Sequence, residues 1–287
     1  MGLPAHDVTV ATRPPAAPRP ELARANRPPA LILVPALIGA LIFVVPLLGL
    51  LWRAPWSSAF DVLRSQEATQ AIRLSVVTSV SATAIAIVLG VPLAWIQARV
   101  PYPGRNIVRA ITVIPMVLPP VVGGIALLLA LGRRGLAGQY LDHVGVHLPF
   151  HVGGAVLAEV FVSMPFLVLT VEAAFRSVDS RLEDAARTLG ASRLTVFRRV
   201  TLPIIRPSLI AGAVLCWARA LGEFGATITF AGNLAGKTQT LPLFVYVTLE
   251  GSNPDAAIVL SLVLLAISAL VIILVFGMLR ERWRAPL

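Results

Sequence analysis

In a chain that is 57% hydrophobic and only 13% charged, the residues able to do chemistry are few. Arg219 and Glu223 stand four apart within the apolar run Trp217 to Thr227, so on a helix they share one face. A charge in a membrane interior costs a few kcal/mol on insertion scales and usually faces a cavity. Two readings stay open. The pair can neutralise itself and let Gly222 and Gly225 pack against a neighbouring helix. Alternatively Arg219, Gly222, Glu223, Gly225 and Thr227 line a pathway or gate for an anion. Glu159, an acid in another apolar run, either pairs with an interior cation or lines the same path.

Other candidates carry less. Ala231-x4-Gly236-Lys237-Thr238 spells a relaxed phosphate loop. A working one needs a buried strand before it and a helix after it, and here the run follows a membrane helix, so nucleotide binding is not expected. His143, His147 and His151 repeat every four residues, but Gly145 and Pro149 interrupt the helix that would bring them together. They are read as structural or incidental, and no metal site is expected. Cys216 is the sole cysteine, which excludes an intramolecular disulfide.

The longest charge-rich stretch is 179–203, DSRLEDAARTLGASRLTVFRRVTLP. Ser180 with Glu183 has the form of a capping box. Leu182, Ala185, Ala186 and Leu189 make an apolar stripe, and Gly190 can take the left-handed conformation that ends a helix. Ser192 can cap a second helix with Leu194, Phe197 and Val200 on its apolar side, and Pro203 is expected to stop it. A basic helix–turn–helix of this kind could read DNA. Tethered at both ends to membrane helices, however, it has no domain to carry it into a groove. A merely solvated loop leaves the two stripes without anything to bury, so a protein partner fits better.

The elements that hold these residues follow from hydropathy. Mean hydropathy is +0.83 and a soluble domain would carry roughly 25% charged residues, so the chain is an all-α integral membrane protein. About 20 mainly apolar residues make a span. Six segments qualify, roughly 30–52, 72–97, 107–131, 152–175, 204–230 and 256–279. The pair Pro119-Pro120 makes the third the least suited to one straight helix. Residues 1–29, rich in proline and arginine, read as a disordered cytoplasmic tail; the apolar segment that follows is too long for a signal peptide. Residues 30–287 then form the transmembrane domain. Leu241 to Leu249 is too short to span and reads as re-entrant or interfacial. Of the 24 Lys and Arg, 17 fall on one side, 6 on the other and Arg219 inside a span. That bias places both termini and 179–203 in the cytoplasm, and a net charge of +10 is explained without nucleic acid.

Asp184-Ala185-Ala186, Gly190, Val200 and Leu202-Pro203 resemble the E-A-A-x3-G-x9-I-x-L-P loop of bacterial ABC-transporter permeases, with Asp for Glu and Val for Ile. A second E-A-A, Glu172-Ala173-Ala174, has Val178 in place of the glycine and is set aside. The run Arg219 to Thr227, together with Ala231-Gly232-Asn233 and Gly236-Lys237-Thr238-Gln239-Thr240-Leu241-Pro242, resembles the molybdate branch of these permeases, with sulfate permeases close by. The resemblance covers most of the chain from about residue 70. It implies a multi-pass subunit of the bacterial inner membrane, paired as a homodimer. ABC ATPase subunits would hydrolyse ATP-Mg in the cytoplasm and an anion-binding protein would dock outside, while this chain binds no cofactor. It further implies that 179–203 couples to the ATPase, and that the cargo is molybdate or tungstate. A sulfate or thiosulfate importer is the nearest alternative; a stand-alone secondary transporter and a membrane-tethered DNA-binding regulator are the alternatives of other classes.

Overall fold

The computed structural model of the chain describes residues 30–251 and 253–284, and the expected tail over 1–29 lies outside them. In order, the elements are α1 (Ala30–Arg53), α2 (Ala59–Arg64), α3 (Gln66–Arg99), α4 (Arg105–Val117), α5 (Pro120–Leu131), α6 (Gly138–His143) and α7 (Val152–Ser177). Then follow α8 (Ser180–Thr188), α9 (Arg193–Val196), a π turn (Phe197–Thr201), α10 (Leu202–Leu221), α11 (Gly225–Phe230), α12 (Leu241–Glu250) and α13 (Pro254–Arg284). The described residues contain no strand, as the hydropathy pattern requires. The chain divides into two units, up to Gly49 and from Leu50. The first holds most of α1, an apolar helix with Pro35 and Pro46 inside it. The packing and the sites described below concern the second.

Small residues make the seam at the centre of this unit. The buried face of α3 runs Ala68, Ala71, Ser75, Thr78, Ser79, Ala82, Ala86, Gly90, Ala94, Gln97, which is helical spacing in residues small enough for close backbone approach. In lipid the hydrophobic effect does not drive helices together; van der Waals contact does, and it needs such a seam. Against it lie Leu167, Val168, Val171 and Phe175 of α7 and Ile205 and Cys216 of α10, all buried in one cluster. A Cβ at Gly90 would come within 3.1 Å of Val168, and one at Gly212 within 3.2 Å of Thr170. A second cluster joins α5, α7 and α11 through Leu127, Ala158, Val162, Ala226 and Phe230. A third fastens α12 to α3 and α13 through Ala68, Leu241 and Leu260.

Among the described residues five helical runs are long and apolar enough to cross a membrane: Leu31–Arg53, Gln66–Arg99, Val152–Ser177, Arg193–Leu221 and Pro254–Val275. The segment expected over 107–131 is instead two helices, α4 with 13 residues and α5 with 12. At 1.5 Å per residue each is about 20 Å long, short of the ~30 Å hydrocarbon core, so only the pair in tandem has the length to cross. The break sits at Leu118 and Pro119, both extended (ψ 137° and 131°) because a residue before proline is pushed out of the α region. The segment expected over 204–230 is also divided. α10 ends at Leu221, and α11 restarts at Gly225 after a three-residue break. The segment over Leu241 to Leu249, expected to be re-entrant or interfacial, folds as the short helix α12, with Leu241 and Leu243 buried.

Candidate functional site

The charged loop folds as two short helices with a defined joint. Asp179, not Ser180, caps α8, its Oδ1 accepting from Arg181 N–H at 2.9 Å. Gly190 has φ 85°; its N–H donates to Arg187 O at 2.9 Å while Ala191 N–H donates to Ala186 O at 3.1 Å. These two bonds are the Schellman ending, and they depend on a left-handed residue at position 190. Ser192 Oγ accepts from Thr195 N–H at 3.2 Å and caps α9, as its sequence position suggests. Pro203 does not stop the second helix. The chain widens into the π turn at Phe197–Thr201 and continues as α10 with the proline in its first turn, where no N–H is missed. A π turn is one of the adjustments that let a helix keep its course into a proline.

Spacing alone does not reveal what fastens this loop to the helices. Glu183, with 12% of its side chain exposed, does not reach back to Ser180. Its Oε1 accepts from Thr201 Oγ1 at 2.8 Å and from Arg99 Nη2 at 3.3 Å, and Arg99 also donates to Val178 O. One carboxylate thus joins α8 to the last residue of α3 and the entrance of α10. A second acid, Glu172 in the rejected E-A-A, is 1% exposed and holds Arg176 at 2.6 Å and Arg109 of α4 at 3.5 Å. The outer surface of the loop has no such partners. Leu182, Leu189 and Leu194 are 51%, 88% and 63% exposed, and Asp184 and Ala185 also face outward. Ala186, Val200 and Leu202 are half-buried and Pro203 is exposed.

The second group sits at the break between α10 and α11. Arg219 Nη1 lies 2.7 Å from Glu223 Oε2, an ion pair outside hydrogen-bond alignment. It is formed around a helix end rather than along a helical face, because Gly222 already closes α10. The other oxygen of Glu223 accepts from Ala226 N–H at 2.7 Å and so caps α11. Gly225 is the position where a side chain would not fit: a Cβ there would meet Pro120 Cβ at 2.8 Å and Val121 N at 3.0 Å. Gly222 is exposed and meets nothing closer than 3.6 Å. Thr227 is fully buried and its hydroxyl has no partner among the described residues. Glu159, also buried, accepts from Thr78 Oγ1 at 2.7 Å, and its Oε2 has no partner among the described residues. A buried acid held by a hydroxyl on α3 had no signature in the spacing of α7.

The remaining motifs resolve simply. In the phosphate-loop spelling, the N–H groups of Lys237, Thr238 and Gln239 all turn to Leu234 O, and Thr238 Oγ1 bridges Leu234 N and Gly232 O. The loop is therefore closed on itself. His147 bonds Asp142 at 2.8 Å, His151 contacts Pro149 O, and no metal-binding group of three occurs among the described residues.

Residues 86–282 match the family of binding-protein-dependent transport system inner membrane components. The chain belongs to that family. An inner membrane component of such a system is a multi-pass membrane protein, in keeping with the apolar helices above. The family resemblance read from 184–203 is borne out. The chain is 43% identical over 247 residues to the molybdenum transport system permease protein ModB of Mycobacterium tuberculosis, covering 85% of this chain and 92% of that one. It is 36% identical over 235 residues to the sulfate transport system permease protein CysT of Salmonella typhimurium, covering 81% and 85%. A solved bacterial alginate ABC transporter, in complex with alginate pentasaccharide-bound periplasmic protein, shares the fold at a TM-score of 0.73 and 19% identity, over 90% of this chain and 96% of that one. As an inner membrane component of a binding-protein-dependent transport system, the chain is one part of a machine that also includes a binding protein.

Proposed function

We propose that this chain is the permease subunit of an ATP-driven importer for a tetrahedral oxyanion, molybdate or tungstate, working by alternating access. The observation that carries the reading is the 43% identity to a molybdenum permease over 85% of the chain. The chain is a transport subunit, not an enzyme. ATP-Mg is bound and hydrolysed on separate ATPase subunits, an anion-binding protein docks on the outer side, and residues 30–287 act as the permease domain, paired with a second copy. The excess of Lys and Arg on one side supports a cytoplasmic position for both termini and for 179–203.

Coupling follows from how the loop is tied. Asp184, Ala185, Ala186 and the exposed leucines of α8 face an ATPase cleft, and Gly190 fixes the angle at which α9 leaves. ATPase closure turns α8. Glu183 passes that turn to α3 through Arg99 and to α10 through Thr201. At its other end α10 meets the break at Gly222, and α11 rests on the start of α5 through Gly225. Rotation of α10 therefore moves the α11–α5 contact, and that contact serves as the gate. Arg219, with 28% of its side chain exposed, offers a cation beside it. The anion is not held tightly there, since a strong midplane site would retain a dianion; selectivity resides mainly in the binding protein. Hydrolysis resets the pair.

The 36% identity to a sulfate permease supports sulfate or thiosulfate as the second reading. Uptake of labelled molybdate by the complete transporter, challenged with excess sulfate, separates them. Molybdate uptake that resists the excess sulfate supports the first reading; full displacement, persisting when the sulfate is reduced to equimolar, contradicts it.

A further inference from the structure

Beside the loop lies a cavity of about 610 Å³ between the end of α3, α8, α9 and the π turn. Three arginines, Arg99, Arg187 and Arg193, face it against one carboxylate, Glu183, and Trp95 and Phe197 form an apolar wall. Glu183 is already committed to Thr201 and Arg99. Arg187 is held by Asp184 at 3.1 Å and stands 3.9 Å from Glu183, Arg99 Nε is buried without an acceptor among the described residues, and Arg193, exposed, makes no ion pair among them. A guanidinium with a buried, unused N–H calls for an anionic acceptor with several oxygens. The cavity therefore carries an excess of positive charge, with the exposed Arg193 as its uncommitted cation among the described residues.

Its depth narrows the choice of anion. α3 has 34 residues, about 51 Å at 1.5 Å per residue, which exceeds a hydrocarbon core of ~30 Å. Arg99 is its final residue, and Trp95, 40% exposed, lies one turn earlier on the same face. A tryptophan followed one turn later by an arginine marks the boundary where apolar tails give way to head groups. A free inorganic oxyanion would leave the Trp95 and Phe197 wall wet. A lipid phosphate brings its glycerol and first methylenes to cover that wall.

We propose that this cavity binds the phosphoryl head group of an anionic phospholipid, with Arg99, Arg187 and Arg193 around the phosphate and Trp95 and Phe197 against the glycerol end. Basic pockets at membrane-helix ends recognise such head groups through shared charge and hydrogen bonding. Because the cavity is walled by the same Arg99, Glu183 and Thr201 that join α8 to α3 and α10, a bound lipid stiffens the joint between the loop and the transmembrane helices. The proposal concerns the loop and not the cargo, so it stands or falls separately from the choice between molybdate and sulfate.

The test uses the assembled, purified transporter in vesicles, with brominated phosphatidylglycerol or brominated phosphatidylcholine as quencher of tryptophan fluorescence. The Trp95 contribution is the difference between wild type and Trp95→Phe. The proposal expects saturable quenching by the glycerol lipid, absent with the choline lipid. Arg193→Gln, an exposed position, should weaken it roughly fivefold, the contribution of one basic residue near a membrane surface, and Arg193→Lys should largely restore it. Equal quenching by both lipids overturns the proposal. So does displacement by millimolar phosphate or molybdate, which would assign the site to a free oxyanion. Loss of ATPase co-purification in Arg193→Gln with an unchanged lipid titration also overturns it and gives the cavity to the ATPase.

Discussion

Thr201 Oγ1 donates to Glu183 Oε1 at 2.8 Å, across 18 positions of chain, and ties α8 to the entrance of the helix that carries Arg219. A hydrogen bond to a charged acceptor contributes about 1.5–3 kcal/mol when partly buried. In the proposed mechanism this bond transmits force, so its loss should appear in coupling before it appears in assembly. We expect Glu183→Gln and Thr201→Val to keep the permease in the membrane and raise the ATP hydrolysed per anion imported. The two effects should be non-additive, because Thr201→Val removes and Glu183→Gln weakens the same bond. Hydrolysis and uptake measured on one preparation check this, and additive effects would contradict it.

Gly190 has φ 85° and closes α8 with two bonds that only a left-handed residue can make. A β-branched residue is strained there by about 1–2 kcal/mol. Gly190→Val should therefore leave the transmembrane helices intact while lowering ATPase co-purification or uncoupling hydrolysis from uptake. Gly190→Asn should be milder, since asparagine tolerates that region. Unchanged coupled transport in the valine variant would refute the docking role of the loop.

For Arg219 the two readings separate experimentally. Arg219→Ala leaves the Glu223 carboxylate buried without its counter-charge, and breaking such a pair costs about 3 kcal/mol. The melting temperature should fall, and Arg219→Ala with Glu223→Gln should recover part of it. A pathway role predicts that anion flux stays low in the double variant even as stability returns. Normal flux in it would leave only the packing role.

Gly225 tests the proposed gate contact directly. A Cβ there would stand 2.8 Å from Pro120 Cβ, so Gly225→Ala must push α11 away from α5. Overpacking of this kind costs roughly 1–3 kcal/mol. We expect a lower melting temperature and altered flux from Gly225→Ala. Gly222→Ala should be nearly silent, because its nearest contact is 3.6 Å.

Much of this was legible in the chain because hydropathy and local spacing act over one helix at a time. The apolar runs, the Gly190 joint, the Ser192 cap and the shortness of the Leu241 to Leu249 segment needed only neighbouring residues. The same reasoning failed where a long-range partner decides the outcome. Ser180 looked like the cap because Glu183 stood three residues on, but Arg99, 84 positions away, and Thr201 claim that carboxylate. Pro203 looked like a stop until a π turn absorbed it. Arg219 and Glu223 looked like one helical face, yet Gly222 ends the helix between them and Glu223 caps the next. Arg176 pairs with Glu172 at i,i+4 within α7, but Arg109 reaches the same carboxylate only because α4 packs on α7, which no local pattern encodes.

The central claim is that this chain moves an oxyanion only when a separate ATPase drives it through the 179–203 loop. The most direct measurement is uptake of labelled molybdate into vesicles that contain the permease with its ATPase and binding protein, beside vesicles that contain the permease alone. The account predicts ATP-dependent uptake in the first and none in the second. ATP-free accumulation by the permease alone would contradict it and assign the chain to the secondary transporters.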